Sequence, residues 1–204
     1  MLQAPFFDVG RPAYLNLASM GAIIGHEITH HFDSEGRHFS AEGRMVNWWS
    51  AETEVHFASA AQCFSEQYSE VVDTLTGRSL NGNATLAENM ADNGGLRAAW
   101  RAFRSSEEEE EGDDKVEKEE ELVPPQLTAL SPAQLFFLVY AQTWCSAYRN
   151  NATLAYVIDT DEHAPEQYRV NLPLANFEPF SKAFACQKEG AKMSRPPERR
   201  CMLW

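Results

Sequence analysis

The fold class expected from this sequence is mainly α, with long loops between the helices. Three observations point there. Apolar residues recur at helical spacing in long segments, as in Leu17–Phe32 (LASMGAIIGHEITHHF). Helix-start residues stand ahead of others, above all Ser131 followed by Pro132. Stretches rich in Gly and Asp part the helical segments, as in 33–43 (DSEGRHFSAEG).

In chain order, residues 1–16 read as irregular, with prolines at 5 and 12. Leu17–Phe32 reads as a helix capped by Ser19, and 33–43 as the loop that ends it. Ser50–Leu75 reads as a long amphipathic helix and Thr76–Gly82 as a turn. Leu86–Arg104 reads as helical despite Gly94-Gly95 inside it; the paired glycines imply close approach of another backbone. Ser131-Pro132 open a helix that runs to about Arg149. Residues 159–172 read as a loop leading into a short helix, Asn176–Phe184 as a last helix, and 188–204 as an irregular basic tail.

The chain has 204 residues, 44% of them hydrophobic, which suits one domain over 1–204 with a real core. Leu135–Ala141 is the longest apolar patch; it reads as core and is far too short to span a bilayer. The formal net charge of -13 argues against nucleic acid as a partner. Residues 107–121 hold eleven acids and two lysines, so they carry -9 and the other 189 residues only -4. Segment 105–125 therefore reads as an acidic, disordered insertion, too charged to bury itself. The first residues lack the basic start of a signal peptide. Asn83-Ala-Thr85 and Asn151-Ala-Thr153 are nevertheless glycosylation sequons. Cys63, Cys145, Cys186 and Cys201 are widely spaced, which suits disulfides better than a structural zinc site; four cysteines allow three full pairings.

The chemistry is concentrated in His26-Glu27-Ile28-Thr29-His30. On a helix, positions i and i+4 differ by about 40° in azimuth, so both imidazoles project from one face. That is what two ligands of one tetrahedral Zn²⁺ require. Glu27 then lies beside the metal without ligating it, placed to take a proton from a metal-bound water. This is the H-E-x-x-H arrangement of metallopeptidases. A catalytic zinc needs a third protein ligand. The candidate is Glu88 in Glu88-Asn89-Met90-Ala91-Asp92, with Asp92 one turn on, where it would orient a ligand histidine. Taken alone, Glu-x-x-x-Asp is more often a solvated helix face.

Beyond these motifs, the chain resembles the C-terminal part of the neprilysin and endothelin-converting-enzyme family of zinc endopeptidases. The stretches that carry the resemblance are LQAPFF (2–7), GHEITHHFD (25–33), WWS (48–50), ENMADNGGL (88–96), QLFFLVYAQTWCSAYR (134–149), HAPEQYRVN (163–171) and CMLW (201–204). The resemblance implies a zincin-type (gluzincin) catalytic lobe built on two zinc-binding helices, with one Zn²⁺ per chain. It implies His26, His30 and Glu88 as ligands, Glu27 as general base, and Asp92 and Asp33 as acids that hold the ligand histidines. His163 matches a donor to the oxyanion of the tetrahedral intermediate. Arg169 matches an arginine that grips a substrate carbonyl. Phe6, Ala22, Ile23 and Trp144 fall where the family lines an apolar pocket beside the scissile bond. Cys63 is implied to pair with Cys201, and Cys145 and Cys186 with cysteines far upstream. The implied substrates are small extracellular peptides, cut on the amino side of hydrophobic residues.

The same resemblance implies a large N-terminal region, with a membrane anchor, a capping lobe and a substrate-binding edge strand, that these 204 residues do not contain. The expectation is a fragment that would reach a membrane only through that anchor. The alternative function is a non-catalytic homologue acting as a binding or regulatory chain. His31 departs from the family's small residue; one helical step turns it about 100° from His30. It reads as a surface or packing residue, as do His38 and His56.

Overall fold

The computed structural model describes residues 2–109, 123–186, 191 and 193–203, without the side chains of 107–109. Helix α1 spans Ala13–Asn16, followed by a π-helical turn at Leu17–Gly21 and α2 at Ala22–Thr29. Helix α3 is Ala51–Ser69, α4 is Leu86–Glu109 and α5 is Pro132–Gln142. Three shorter helices follow, α6 at Asn151–Thr160, α7 at Glu166–Asn176 and α8 at Glu178–Ala183. Among the described residues the β-structure is limited to isolated bridges, Phe39 with Met45 and Val72 with Ser79. None of the described helices is long and apolar enough to cross a membrane.

Local chemistry accounts for the boundaries. Ser50 caps α3 through Oγ, which accepts from Thr53 N at 3.1 Å. Ser131 and Gln134 form a reciprocal capping box at α5, with Pro132 at the first helical position. Several expected bounds shift. The Leu17–Phe32 run joins a helix that already starts at Ala13, so Ser19 is no cap. Its hydroxyl is fully buried and donates to Phe6 O at 2.6 Å, with Leu15 O also 3.0 Å away. Helix α3 stops at Ser69 rather than Leu75 because Asp73 Oδ1 accepts from Leu75 N, Thr76 N and Thr76 Oγ1 and folds a turn there. The helix expected to run from Ser131 to about Arg149 is shorter, and a separate helix begins beyond that expected end. Helix α5 ends at Gln142, and Asn150 caps α6 by accepting from Thr153 N at 2.9 Å. The short helix expected near residue 172 is α7, from Glu166 to Asn176, and it contains Pro173. Helix α4 continues through residues 105–109, which were assigned to the acidic insertion; residues 110–122, its bulk, lie outside the described residues.

One large apolar cluster joins α1, the π-turn, α4, α5, α7 and α8. Tyr14, Ala18, Leu96, Phe103, Phe136 and Phe177 are among its buried members, and Trp100 stacks on Phe137 at 4.8 Å. Fully burying a side chain of this size is worth about 1.5–3 kcal/mol. A second cluster holds α3 to α4 through Phe57, Phe64 and Met90, and reaches Cys201 in the tail. There the Cys63–Cys201 disulfide ties the chain end to α3 across 138 residues. Cys145 and Cys186 are free thiols, one exposed and one half-buried.

Candidate metal centre

The centre is built where α2 crosses α4. Gly25 on α2 and Gly94-Gly95 on α4 make that crossing tighter than side chains permit. A Cβ on Gly95 would sit 2.5 Å from Ala22 O and 2.7 Å from His26 N, and one on Gly94 would sit 2.4 Å from Thr29 Oγ1. Backbone thus meets backbone, as the glycine pair implied. The contact brings one turn of α2 beside the first turn of α4.

Three donor groups meet there. His26 Nε2 lies 3.0 Å from His30 Nε2 and 3.2 Å from Glu88 Oε2, and His30 Nε2 lies 3.4 Å from Glu88 Oε1. Ligands at about 2.0–2.1 Å around a tetrahedral zinc are themselves about 3.3 Å apart, so the triangle fits that ion. Glu88 Oε2 is buried and makes no aligned hydrogen bond, although nitrogens of His26, His163 and Arg169 lie 3.2 to 3.6 Å from it. A buried oxygen with no hydrogen bond is costly unless something else meets it. Burial pushes the Glu88 carboxyl up, but contact with His26 and the positive charge of the surrounding histidines outweigh it, so Glu88 ionises below the usual carboxylate range.

Each of these two histidines, His26 and His30, has a carboxylate behind it. Asp33 Oδ2 lies 2.6 Å from His30 Nδ1, while Asp33 Oδ1 accepts from Glu35 N and Gly36 N at 2.7 Å each. Asp92 Oδ1 lies 2.9 Å from His26 Nδ1, bent away from an ideal hydrogen bond. Burial works against a charged His26 ring, but the Asp92 and Glu88 contacts outweigh it, and in the metal-free chain its pKa is pushed up to about 9.

Glu27, next along α2, is exposed to solvent. His163 is brought in from the loop before α7, with Nε2 3.2 Å from Glu88 Oε2 and Nδ1 2.8 Å from Asp161 Oδ1. Arg169 grips Asp92 in a fork, Nε to Oδ2 at 2.8 Å and Nη2 to Oδ1 at 2.9 Å, over the Trp144 ring at 4.2 Å. Burial weakens its positive charge, but Asp92 and Glu88 more than restore it. Phe6, Ile23 and Trp144 are half-buried. Ala22, expected in an apolar pocket, is 3% exposed and belongs to the core instead, because its side of α2 is pressed onto α4. His31 is exposed and leans on Ile28 O. Both sequon asparagines are exposed; Asn83 Oδ1 accepts from Ser65 Oγ, and Asn151 Nδ2 donates to Leu75 O. The sequence reading missed Asp161 and Glu162. The only signal for them is their place directly ahead of His163.

The model of peptidase family M13 matches residues 1–201. The chain belongs to peptidase family M13. Its relatives in this family include an endothelin-converting enzyme homolog of Locusta migratoria, 41% identical over 204 residues, and neprilysin of Homo sapiens, 40% identical over 205 residues. Both matches take in the whole chain but only 26% of the relative, so the chain spans about a quarter of these proteins. Among solved structures, a zinc metalloprotease of Mycobacterium tuberculosis in complex with inhibitor superposes with a TM-score of 0.85 at 30% identity, and a galactose-containing glycoprotein complex of Haemonchus with 0.86 at 32%. The chain is covered completely in each, and 30% and 32% of the respective neighbour. A mainly helical, zincin-type lobe is thus the M13 fold in this part of the chain.

Proposed function

We propose that this M13 chain carries the catalytic centre of a zinc-dependent endopeptidase that cuts small extracellular peptides on the amino side of hydrophobic residues. The observation that carries the proposal is the triangle of His26 Nε2, His30 Nε2 and Glu88 carboxylate, 3.0 to 3.4 Å on a side, beside an exposed Glu27. Zinc held there supplies a Lewis acid and an acidified water. Glu27 accepts the proton of the attacking water and passes it to the leaving amine. His163 Nε2 donates to the oxygen on which negative charge develops; one such donor is worth about 3 kcal/mol. Asp92 and Asp33 hold the ligand rings in orientation. Arg169, with Nε and Nη2 engaged by Asp92, has Nη1 for a substrate carbonyl. Phe6, Ile23 and Trp144 offer apolar surface to the residue after the scissile bond. The Cys63–Cys201 disulfide and the sequons at Asn83 and Asn151 favour an oxidising, extracellular setting.

The test is zinc content and peptide turnover of the 204-residue chain and its Glu27→Gln variant. One tightly held equivalent is expected in both, with hydrolysis of a fluorogenic peptide in the parent alone. Equal turnover by Glu27→Gln removes Glu27 from the mechanism, and a parent that holds no zinc removes the centre.

A further inference from the structure

We infer that the mouth of the centre holds a second, weaker cation site, made of His163 Nε2, the Glu162 carboxylate and Glu88 Oε2, and that zinc bound there shuts the centre down. One ligand atom from each of these residues lies within 4.8 Å of the others. His163 Nε2 and Glu88 Oε2 are 3.2 Å apart, close to the edge of a zinc tetrahedron. An imidazole and two carboxylates suit a zinc-like divalent ion.

Two further features fit a cation rather than a chance cluster. Asp161 Oδ1 lies 2.8 Å from His163 Nδ1 and also accepts from His163 N at 2.8 Å, so the ring is oriented with Nε2 toward Glu88. That is how outer carboxylates hold metal-bound histidines. Glu88 Oε2 is buried without an aligned hydrogen bond, and a carboxylate has about four lone-pair positions, enough to bridge two ions. The charges set the order of filling. Asp161 and Glu162 bring two negative charges to the mouth, whereas Arg169 Nη2 stands 3.6 Å from Glu88 Oε2 and opposes any second cation. Zinc in the first site opposes it more strongly, so the second ion binds more weakly than the first.

The blocking effect rests on the peptidase reading: a His163 Nε2 that ligates an ion cannot donate to an oxyanion. Glu162 is exposed and takes no part in that reaction, so Glu162→Gln separates the two roles. The experiment titrates the metal-free chain with Zn²⁺ alone, in a Cys145→Ser background because that thiol is exposed. The parent is expected to take one tight and one weak equivalent. Glu162→Gln and His163→Asn should each keep the tight equivalent and lose the weak one. A parent that saturates at one equivalent, or either variant still taking the second, overturns the site. His30→Ala reports on the first site alone. A tight equivalent that survives it sinks the peptidase reading, while loss of the weak equivalent in Glu162→Gln still carries the second site. In turnover assays, zinc beyond one equivalent should slow the parent by about 100-fold, the cost of losing an oxyanion donor, and leave Glu162→Gln at its basal rate. Equal slowing of both overturns the blocking.

Discussion

Replacing Gly95 with Ala tests whether the close crossing of α2 and α4 builds the centre. The new methyl carbon would stand 2.5 Å from Ala22 O and 2.7 Å from His26 N, both backbone atoms that no rotamer change can clear. Carbon and carbonyl oxygen settle at about 3.3 Å or more, so the helices must part by about 0.8 Å. Two effects compete. Ala in a helix interior is favoured over Gly by about 1 kcal/mol. Overpacking costs about 1–3 kcal/mol, and here the neighbour is backbone, so the cost falls at the upper end and wins. The metal-free Tm should drop by about 2–8 °C. The effect on metal is larger, since a zinc site tolerates about 0.2 Å in its ligand distances. A shift of about 0.8 Å between α2, which carries His26 and leads directly into His30, and α4, with Glu88, removes one of three ligands. Zinc affinity, measured by chelator competition, should fall by about 100-fold or more, beyond the loss typical of an outer-sphere change. Arg101→Ala, at an exposed position on α4, is the control and should change neither quantity. If Gly95→Ala keeps its Tm and binds zinc within about threefold of the parent, the crossing does not set the ligand geometry.

Glu27→Gln alters an exposed side chain and should shift stability by less than about 0.5 kcal/mol while lowering turnover by about 10²–10⁴-fold. Asp33→Asn should weaken zinc binding by about 10–100-fold, read by the same competition, since it loosens the His30 ring. Metal binding needs neutral imidazole, and His26 in the metal-free chain is pushed up to about 9, so at pH 7 zinc should displace its proton. Calorimetry in buffers of different ionisation heat would show this release fading as pH rises toward 9, and a release absent at pH 7 contradicts it. The same shift fixes a sign for stability without metal. The His26 contribution is fully present below the unfolded value near 6.5 and is lost as pH rises through about 9. Reducing the Cys63–Cys201 bond should cost about 2–5 kcal/mol, seen as a lower midpoint in urea.

Local chemistry was legible in the linear chain. The i, i+4 spacing of His26 and His30 dictates a shared helix face whatever surrounds it, and Ser131 with Pro132 opens a helix through its own bonds. Gly94-Gly95 announced a close neighbour, but not which one. Tertiary structure alone selected α2 as that neighbour and so drew Glu88, 58 residues beyond His30, into reach of both rings. It also decided that Ala22 is core, that Ser19 anchors Phe6 instead of capping a helix, and that the Asp73 turn ends α3 at Ser69. Asp161 and Glu162 stayed silent in the sequence, because a loop carries no periodicity from which to read where its side chains point. Propensity and spacing act over one helical turn, whereas a ligand triangle is closed by packing between segments far apart in the chain.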